Sequence, residues 1–145
     1  MHDIRPLSPS DCADVLRINA VSVPAVAALD AHEFARLLSL PNRHLAIEGD
    51  DGGVAGYALV FTSATPYDGE EFHVLQRMLP AGFTYIDQVA VQAASRRGGL
   101  GAALYVAIER AARSEGMSAL CCEVNVEPPN PASMAFHRRC GFAPA

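Results

Sequence analysis

Apolar residues recur at helical spacing in several stretches of the chain. The clearest stretch is "LGAALYVAIERAA", in which Leu100, Leu104, Ile108 and Ala111 fall on one face, and this pattern predicts a helix that ends near Gly116. Shorter helices are predicted where a Ser or Asp cap precedes an apolar run, or where a glycine follows one. These helices cover residues 8–22, 30–41 and 131–140.

Strand patterns fill most of the remaining chain. Residues 43–61 show two apolar runs separated by an Asp/Gly turn, which predicts a hairpin. Residues 63–82 form an insertion bounded by Pro and Gly residues, in which one short helix is predicted. Further strands are predicted at residues 2–7, 83–91 and 117–126. This order of elements predicts a single α/β domain over residues 1–145, with a mixed sheet that carries helices on its faces.

Composition narrows the classes of function. Half of the 145 residues are hydrophobic and 19% are charged, which is typical of a globular chain. The net charge of -5 argues against nucleic acid or an anionic membrane as the main partner. The four cysteines show neither a CxxC pair nor zinc-finger spacing, so we expect no metal and reduced thiols in the cytoplasm. All eleven basic residues are arginine, which excludes a Schiff-base or Walker-type lysine.

The segment "SRRGGLGAAL", residues 95–104, joins a predicted strand to a predicted helix. Glycines at such a junction let a phosphate group approach the exposed amides of the helix start. The dinucleotide pattern GxGxxG fails because Leu104 occupies the place of the third glycine. The pattern R-x-x-G-x-G is met by Arg96, Gly99 and Gly101, although a tight turn with solvated arginines explains the same residues.

A second motif raises the specificity of the first. The stretch "VAVQAASRRGGLGAAL" followed by "NPASMAFHRRCGF" resembles the GNAT superfamily of acetyl-coenzyme A-dependent N-acetyltransferases, closely over residues 85–142. The resemblance implies a mixed, mostly antiparallel, twisted sheet of about six strands flanked by helices. Only "APA" follows Phe142, so the family's C-terminal strand is expected to be missing, and we expect either a truncated chain or a homodimer that covers the open edge.

The resemblance also assigns cofactor-binding residues. The pyrophosphate of coenzyme A is expected on the backbone of the glycine loop, and the pantetheine arm beside the preceding strand. Asn130 and Ser133 of the second motif are expected to contact the same cofactor, although helix capping alone also explains Asn130. The remaining cofactor-binding residues implied are Val89, Ala90, Val91, Arg96, Arg97, Gly98, Gly99, Leu100, Gly101 and Ala102.

Three candidate catalytic residues follow. His137 stands where the family usually has a tyrosine that protonates the departing thiolate, and it is a candidate acid or base unless it is only a surface residue of its helix. The strand period of two places Tyr85 and Asp87 on one face with Val89 and Val91. Asp87 is then either a base for the incoming amine or a solvated residue near a strand end.

The acceptor is less well defined by the sequence. Residues 20–34 form the acceptor side in the family and are largely apolar here, which favours a small or partly apolar amine over a polycation. The insertion has two possible roles: it places negative charge near a cleft, or it is a solvated loop. The residues concerned are Tyr67, Asp68, Glu70 and Glu71. Glu123, which shares a strand face with Asn125, is a weaker candidate base. The predicted activity is direct transfer of acetyl from acetyl-CoA to a small-molecule or peptide amine; the alternative is a non-catalytic acyl-CoA sensor.

Overall fold

A computed structural model of the chain describes residues 2–79, 82–95 and 98–122, apart from the side chain of Glu71. In this described part of the chain, five strands form one sheet in the order β1-β2-β3-β4-β5. All neighbours are antiparallel except β4 and β5, which are parallel. The elements are β1 (Ile4–Pro6), α1 (Cys12–Ser22), α2 (Ala31–Ser39), β2 (Leu45–Glu48), β3 (Val54–Thr62), α3 (Glu70–Met78), β4 (Phe83–Val91), α4 (Leu100–Ser114) and β5 (Ala119–Cys122).

Local sequence signals explain most of these boundaries. The Asp30 carboxylate accepts a hydrogen bond from the Glu33 amide at 2.7 Å, which caps α2 as predicted. The β2–β3 hairpin turns through Gly52, whose φ of 80° favours glycine. The predicted strand at residues 83–91 and the short helix within the insertion are both confirmed. The predicted helix at residues 131–140 lies outside the described residues.

The sheet has a core on each face. Helices α1, α2 and α3 cover one face, where the largest buried side chains include Phe34, Tyr57 and Phe72. Helix α4 covers the other face, where Leu104 and Ile108 pack on the sheet. We call these the α1 face and the α4 face. Burying apolar surface on both faces stabilises the sheet and fixes which side each strand residue points to.

A β-bulge in β4 changes the faces that the sequence predicted. Leu59 of β3 is paired with Gln88 and the next residue, Val60, with Ile86, so Asp87 is an extra residue in β4. Tyr85 belongs to the α1 face, whereas Val89 and Val91 pack on the α4 face. The prediction that Tyr85 and Asp87 share a face with Val89 and Val91 is therefore wrong, because an extra residue breaks the strand period of two.

No helix in the described part of the chain is long and apolar enough to cross a membrane. Among the same described residues, no three side chains of the metal-ligating types come together.

Candidate active site

The glycine segment forms the start of α4. Gly99 is the residue before the helix and has φ 78° and ψ 12°, a left-handed conformation that favours glycine. A Cβ atom added at Gly99 would meet no atom of the described residues within 4 Å, so these residues leave space open above the turn. The Gly98 amide donates to the Ser95 carbonyl at 3.0 Å, which closes the turn between β4 and α4.

This turn fits a diphosphate group. The amides of Leu100, Gly101 and Ala102 open a 15-residue helix, and the first amides of a helix have no intrahelical acceptor. The helix dipole adds partial positive charge at the same place. Open space, exposed amides and a favourable field therefore occur together at the predicted pyrophosphate cradle. Arg96 and Arg97, the predicted cationic part of the cradle, lie outside the described residues.

The strand before the cradle directs part of its backbone away from β3. The Gln92 amide donates to the Ala55 carbonyl of β3 at 2.8 Å. Because backbone polar groups alternate sides along an antiparallel strand, the polar groups of Ala90 also face β3, while those of Val89 and Val91 face the β5 side. Within the described residues, which on β5 end at Cys122, the β4–β5 pairing runs from Phe83 to Ile86 on β4. Val89 and Val91 are therefore oriented as the predicted pantetheine contacts would require.

Asp87 lies at the bulge and faces a pocket. The Tyr67 hydroxyl donates a hydrogen bond to Asp87 Oδ1 at 3.0 Å. Burial of the Tyr67 ring, followed by the nearby Asp87 charge, raises the pKa of Tyr67 well above its usual range, so this hydroxyl stays protonated and remains a donor. The carboxylate is only half-buried, so a molecule in the pocket can reach it.

The pocket has a volume of about 330 Å³. One wall is the loop between α1 and α2, which we call the α1–α2 loop (residues 23–30). Alanine and leucine side chains of this loop and of α2 offer apolar contact, while carboxylates at Asp30, Glu33 and Asp87 give negative charge. The Glu33 carboxylate is paired with the Arg36 guanidinium. The lining residues are Ala27, Ala28, Leu29, Asp30, Glu33, Leu37, Tyr67, Asp87 and Gln88.

The insertion contributes to this site through Tyr67. Its ring stacks on Phe61 with centroids 4.3 Å apart and contacts Phe72 edge-on at 5.5 Å. Asp68 instead points to Arg36, with which it forms an ion pair at 3.1 Å, and is 70% exposed. Of the acidic insertion residues, Asp68 and Glu70 are exposed and absent from the pocket lining. The aromatic packing, rather than the negative charge, therefore connects the insertion to the site.

Tyr85 is placed differently from Asp87. Its side chain is 3% exposed and packs against Phe72, with ring centroids 5.4 Å apart. Tyr85 therefore lies in the aromatic cluster beneath the pocket, while Asp87 faces the pocket itself. Its catalytic role stays a prediction. The other predicted functional residues of the C-terminal motif and its preceding strand, Glu123, Asn125, Asn130, Ser133 and His137, lie outside the described residues.

Sequence reasoning missed a set of buried polar side chains behind the pocket. Asn19, Tyr57 and Gln88 come from α1, β3 and β4 and form hydrogen bonds with one another and with the α1–α2 loop. Asn19 lies between Ile18 and Ala20, and Gln88 lies between Asp87 and Val89 in a strand rich in apolar residues. A polar residue at such a position is the signal that could have identified them.

The comparisons with known proteins agree with this geometry. A strand that leads through a glycine turn into a helix, within a five-stranded and mostly antiparallel open sheet, defines the N-acetyltransferase fold class. The sequence pattern of the Acetyltransferase (GNAT) family matches residues 15–142. The chain belongs to this family, and it is an N-acetyltransferase. The resemblance drawn from the two motifs is thereby confirmed, and the family uses acetyl-CoA.

Solved structures show the same fold at low sequence identity. Ard1 from Thermoplasma volcanium is 23% identical with a TM-score of 0.78, and the match covers 99% of this chain and 84% of that one. The ribosomal-protein-S18-alanine N-acetyltransferase from Escherichia coli is 19% identical with a TM-score of 0.76, and the match covers 100% of this chain and 79% of that one. The aminoglycoside 6'-N-acetyltransferase AAC(6')-Ih from Acinetobacter baumannii is 18% identical with a TM-score of 0.75, and the match covers 99% of this chain and 92% of that one. No curated protein is a significant sequence match.

Proposed function

We propose that this chain transfers the acetyl group of acetyl-CoA to the primary amine of a small molecule or peptide by direct attack. The observation that carries the proposal is the position of Asp87. Its carboxylate faces the 330 Å³ pocket, and the strand that bears it continues through Val91 and the glycine turn into α4. An acceptor site and a cofactor cradle are thus built on successive parts of one strand–turn–helix unit.

The cradle residues are proposed to bind and orient the cofactor. The amides of Leu100, Gly101 and Ala102 would hold the pyrophosphate, with Gly98 and Gly99 allowing its close approach. Arg96 and Arg97 would add positive charge beside it. The outward-facing backbone groups of Val89 and Val91 would hold the pantetheine arm, whereas Ala90 between them is paired with Tyr57 of β3. Asn130 and Ser133 would contact the arm from the C-terminal motif. Bound acetyl-CoA supplies an acetyl group already activated as a thioester.

The remaining groups are proposed to manage protons and charge. Asp87 accepts a proton from the ammonium form of the acceptor, because only the neutral amine is a nucleophile. A strand amide near Val89 or Val91 donates to the carbonyl oxygen as negative charge develops there. His137 returns a proton to the departing thiolate. Tyr85 remains a candidate for assisting these proton transfers from the same face of the sheet as Asp87.

The pocket favours an acceptor with one charged end and an apolar body. The carboxylates of Asp30 and Asp87 attract an ammonium group, while Ala28 and Leu29 offer apolar contact. The charge of Glu33 is compensated by Arg36. The aminoglycoside and ribosomal-protein enzymes named above are similar in fold, and their names indicate small-molecule and protein acceptors. We therefore propose a small, partly apolar monoamine or a peptide amine as the substrate.

Thiol release from acetyl-CoA tests the activity. The amine panel contains phenethylamine, spermidine, an aminoglycoside and a peptide with a free N-terminal alanine, and acetyl-CoA binding is measured in parallel by calorimetry. We expect amine-dependent thiol release, highest with phenethylamine or the peptide. Tight cofactor binding without turnover of any amine would instead support the acyl-CoA sensor. Absence of cofactor binding would contradict both functions.

Asp87→Asn tests the proposed base. The amide keeps the shape of the side chain and cannot accept the proton, so we expect kcat to fall about a hundredfold, the lower end of typical general-base effects. Asp68→Asn is the matched control, because it makes the same chemical change on an exposed insertion residue paired with Arg36. Equal activity of Asp87→Asn and the control would remove Asp87 from the mechanism.

The cytoplasmic location and the homodimer stay predictions, and sedimentation at micromolar concentration tests the homodimer.

A further inference from the structure

A closed set of hydrogen bonds lies beneath the proposed acceptor pocket. The Tyr57 hydroxyl donates to Gln88 Oε1 at 2.9 Å and accepts from Asn19 Nδ2 at 3.1 Å. Burial raises the pKa of Tyr57 to about 12, which keeps this hydroxyl protonated at neutral pH. Asn19 and Gln88 are only 2% and 4% exposed. We call these three side chains the amide–tyrosine network.

The network is attached to the α1–α2 loop at two points. The Ala27 carbonyl accepts from Asn19 Nδ2 at 2.9 Å and from Gln88 Nε2 at 3.0 Å. The Leu29 amide donates to Asn19 Oδ1 at 2.9 Å. The side chains that hold the loop therefore come from α1, β3 and β4, while the loop itself is one wall of the pocket.

The stability of the core does not explain the polar side chains at these positions, because hydrophobic side chains of similar size would stabilise the core equally well. A buried polar network contributes little net stability, since its hydrogen bonds mainly offset the loss of water. Its hydrogen bonds are directional, however, and a fully satisfied network fixes one arrangement of the groups that it joins. Here the arrangement that is fixed is the distance between the Ala27–Leu29 backbone and β4.

The bulge connects this network to the chemistry. Because Asp87 is an extra residue in β4, it and Gln88 both lie on the α1 face and both line the pocket. Gln88 holds the loop, and its neighbour Asp87 is the proposed base. A shift of the loop relative to Gln88 would therefore change the distance between the pocket wall and the Asp87 carboxylate.

We propose that the amide–tyrosine network is a positioning device that holds the α1–α2 loop as the acceptor wall and thereby sets the affinity for the amine. This inference rests on the proposed function, because it assigns the acceptor to the same pocket. Asn19 and Tyr57 are absent from the pocket lining and act through the loop, whereas Gln88 both holds the loop and lines the pocket.

Tyr57→Phe tests the proposal by removing one hydroxyl. We expect the KM for the best amine of the panel to rise about fivefold, the effect of one typical hydrogen bond. The kcat is expected to change less than twofold, and the KM for acetyl-CoA to stay unchanged. Hydrogen exchange of the Leu29 amide should accelerate severalfold, while that of the Ala103 amide, bonded to the Gly99 carbonyl at 3.0 Å, should not.

Ile18→Val is the matched control. Ile18 is fully buried on α1 next to Asn19 and carries no polar group, so its truncation lowers stability without altering the network. An equal rise of the amine KM in Ile18→Val would assign the effect to general destabilisation and overturn the proposal. Unchanged amine KM and unchanged Leu29 exchange in Tyr57→Phe would overturn it as well.

If the Tyr57→Phe chain fails to fold, a second variant tests the same proposal. Asn19→Leu, at a residue absent from the pocket lining, keeps the approximate side-chain size and removes the bonds to Tyr57, Ala27 and Leu29. It should likewise raise the amine KM while leaving kcat nearly unchanged. If this variant folds with wild-type amine KM, the proposal is wrong. Failure of the proposed function looks different, because the wild-type chain would then acetylate no amine in the panel, and the positioning role would fall with it.

Discussion

His44 makes the stability of the fold depend on pH, and the size of the effect follows from its contacts. The imidazole is 2% exposed and lies between α2 and β3. The Val60 amide donates to Nδ1 at 2.8 Å, so Nδ1 carries no proton. Nε2 therefore carries the proton and donates to the Leu37 carbonyl at 3.1 Å. Both ring nitrogens are used in the neutral form, and a second proton would remove the acceptor of Val60.

Burial lowers the pKa of His44 from 6.5 to about 4, and the hydrogen bond to Leu37 offsets this only in part. The unfolded chain therefore takes up a proton at higher pH than the folded chain, and stability falls as the pH drops from 6.5 towards 4. At 1.36 kcal/mol per pKa unit, the 2.5-unit difference corresponds to a loss of about 3 kcal/mol. Above pH 6.5 this contribution is fully present.

Urea unfolding between pH 7.5 and pH 4.5 measures the effect. His44→Gln keeps a donor for the Leu37 carbonyl and does not titrate, so its free energy of unfolding should be lower at pH 7.5 and fall less steeply on acidification. The difference between the two chains removes the contribution of the carboxylates, which titrate at lower pH. Parallel curves for wild type and His44→Gln over this interval would refute the assignment of the titration to His44.

Two further changes test other contacts of the fold. Asp11→Asn should lower the free energy of unfolding at pH 7 by about 2 kcal/mol, because the buried carboxylate pairs with Arg5 through two 2.9 Å hydrogen bonds. The Arg5 hydrogen bonds lower the pKa of Asp11, so the difference should begin to shrink as the pH falls below 3.8 and should vanish once the pH is below the lowered pKa of the folded chain. A difference that does not shrink at all below pH 3.8 would contradict the reasoning. Gly99→Ala should cost about 1 kcal/mol from its positive φ and weaken acetyl-CoA binding. For Gly99→Ala, urea unfolding measures the change in stability and calorimetry measures acetyl-CoA binding. Unchanged values of both would contradict the requirement for glycine at this turn.

The sequence predicted those elements whose signals are local. The cap at Asp30, the glycine turn at Gly52 and the apolar face from Leu100 to Ile108 each involve residues within a few positions of one another. Local hydrogen bonding and local periodicity decide such features, so the corresponding helices and strands were found close to their observed bounds. The glycine turn at Gly99 belongs to the same group, because a positive φ at a helix start is a local requirement.

The pocket is formed by residues that are distant in the sequence, and only some of them were predicted from the sequence. Asn19 bonds to Tyr57 across 38 residues, and Tyr67 reaches Asp87 across 20. A single sequence shows that these residues are polar or aromatic, but it carries no signal of which ones meet. The face of Asp87 was predicted correctly relative to Tyr85 and wrongly relative to Val89, because a bulge arises from strand pairing and leaves the apolar pattern of "FTYIDQVAV" unchanged.

The bulge resolves a conflict that a regular strand would impose on β4. With a strict period of two, Asp87 would share a face with Val89, and either the valine would enter the polar pocket or the carboxylate would point into the core beneath α4. The extra residue lets Val89 pack on the α4 face while Asp87 faces the pocket. It also turns Gln88 inward to hold the Ala27 carbonyl. One irregular residue thus keeps the carboxylate out of the core beneath α4 and places the proposed base and its supporting network side by side.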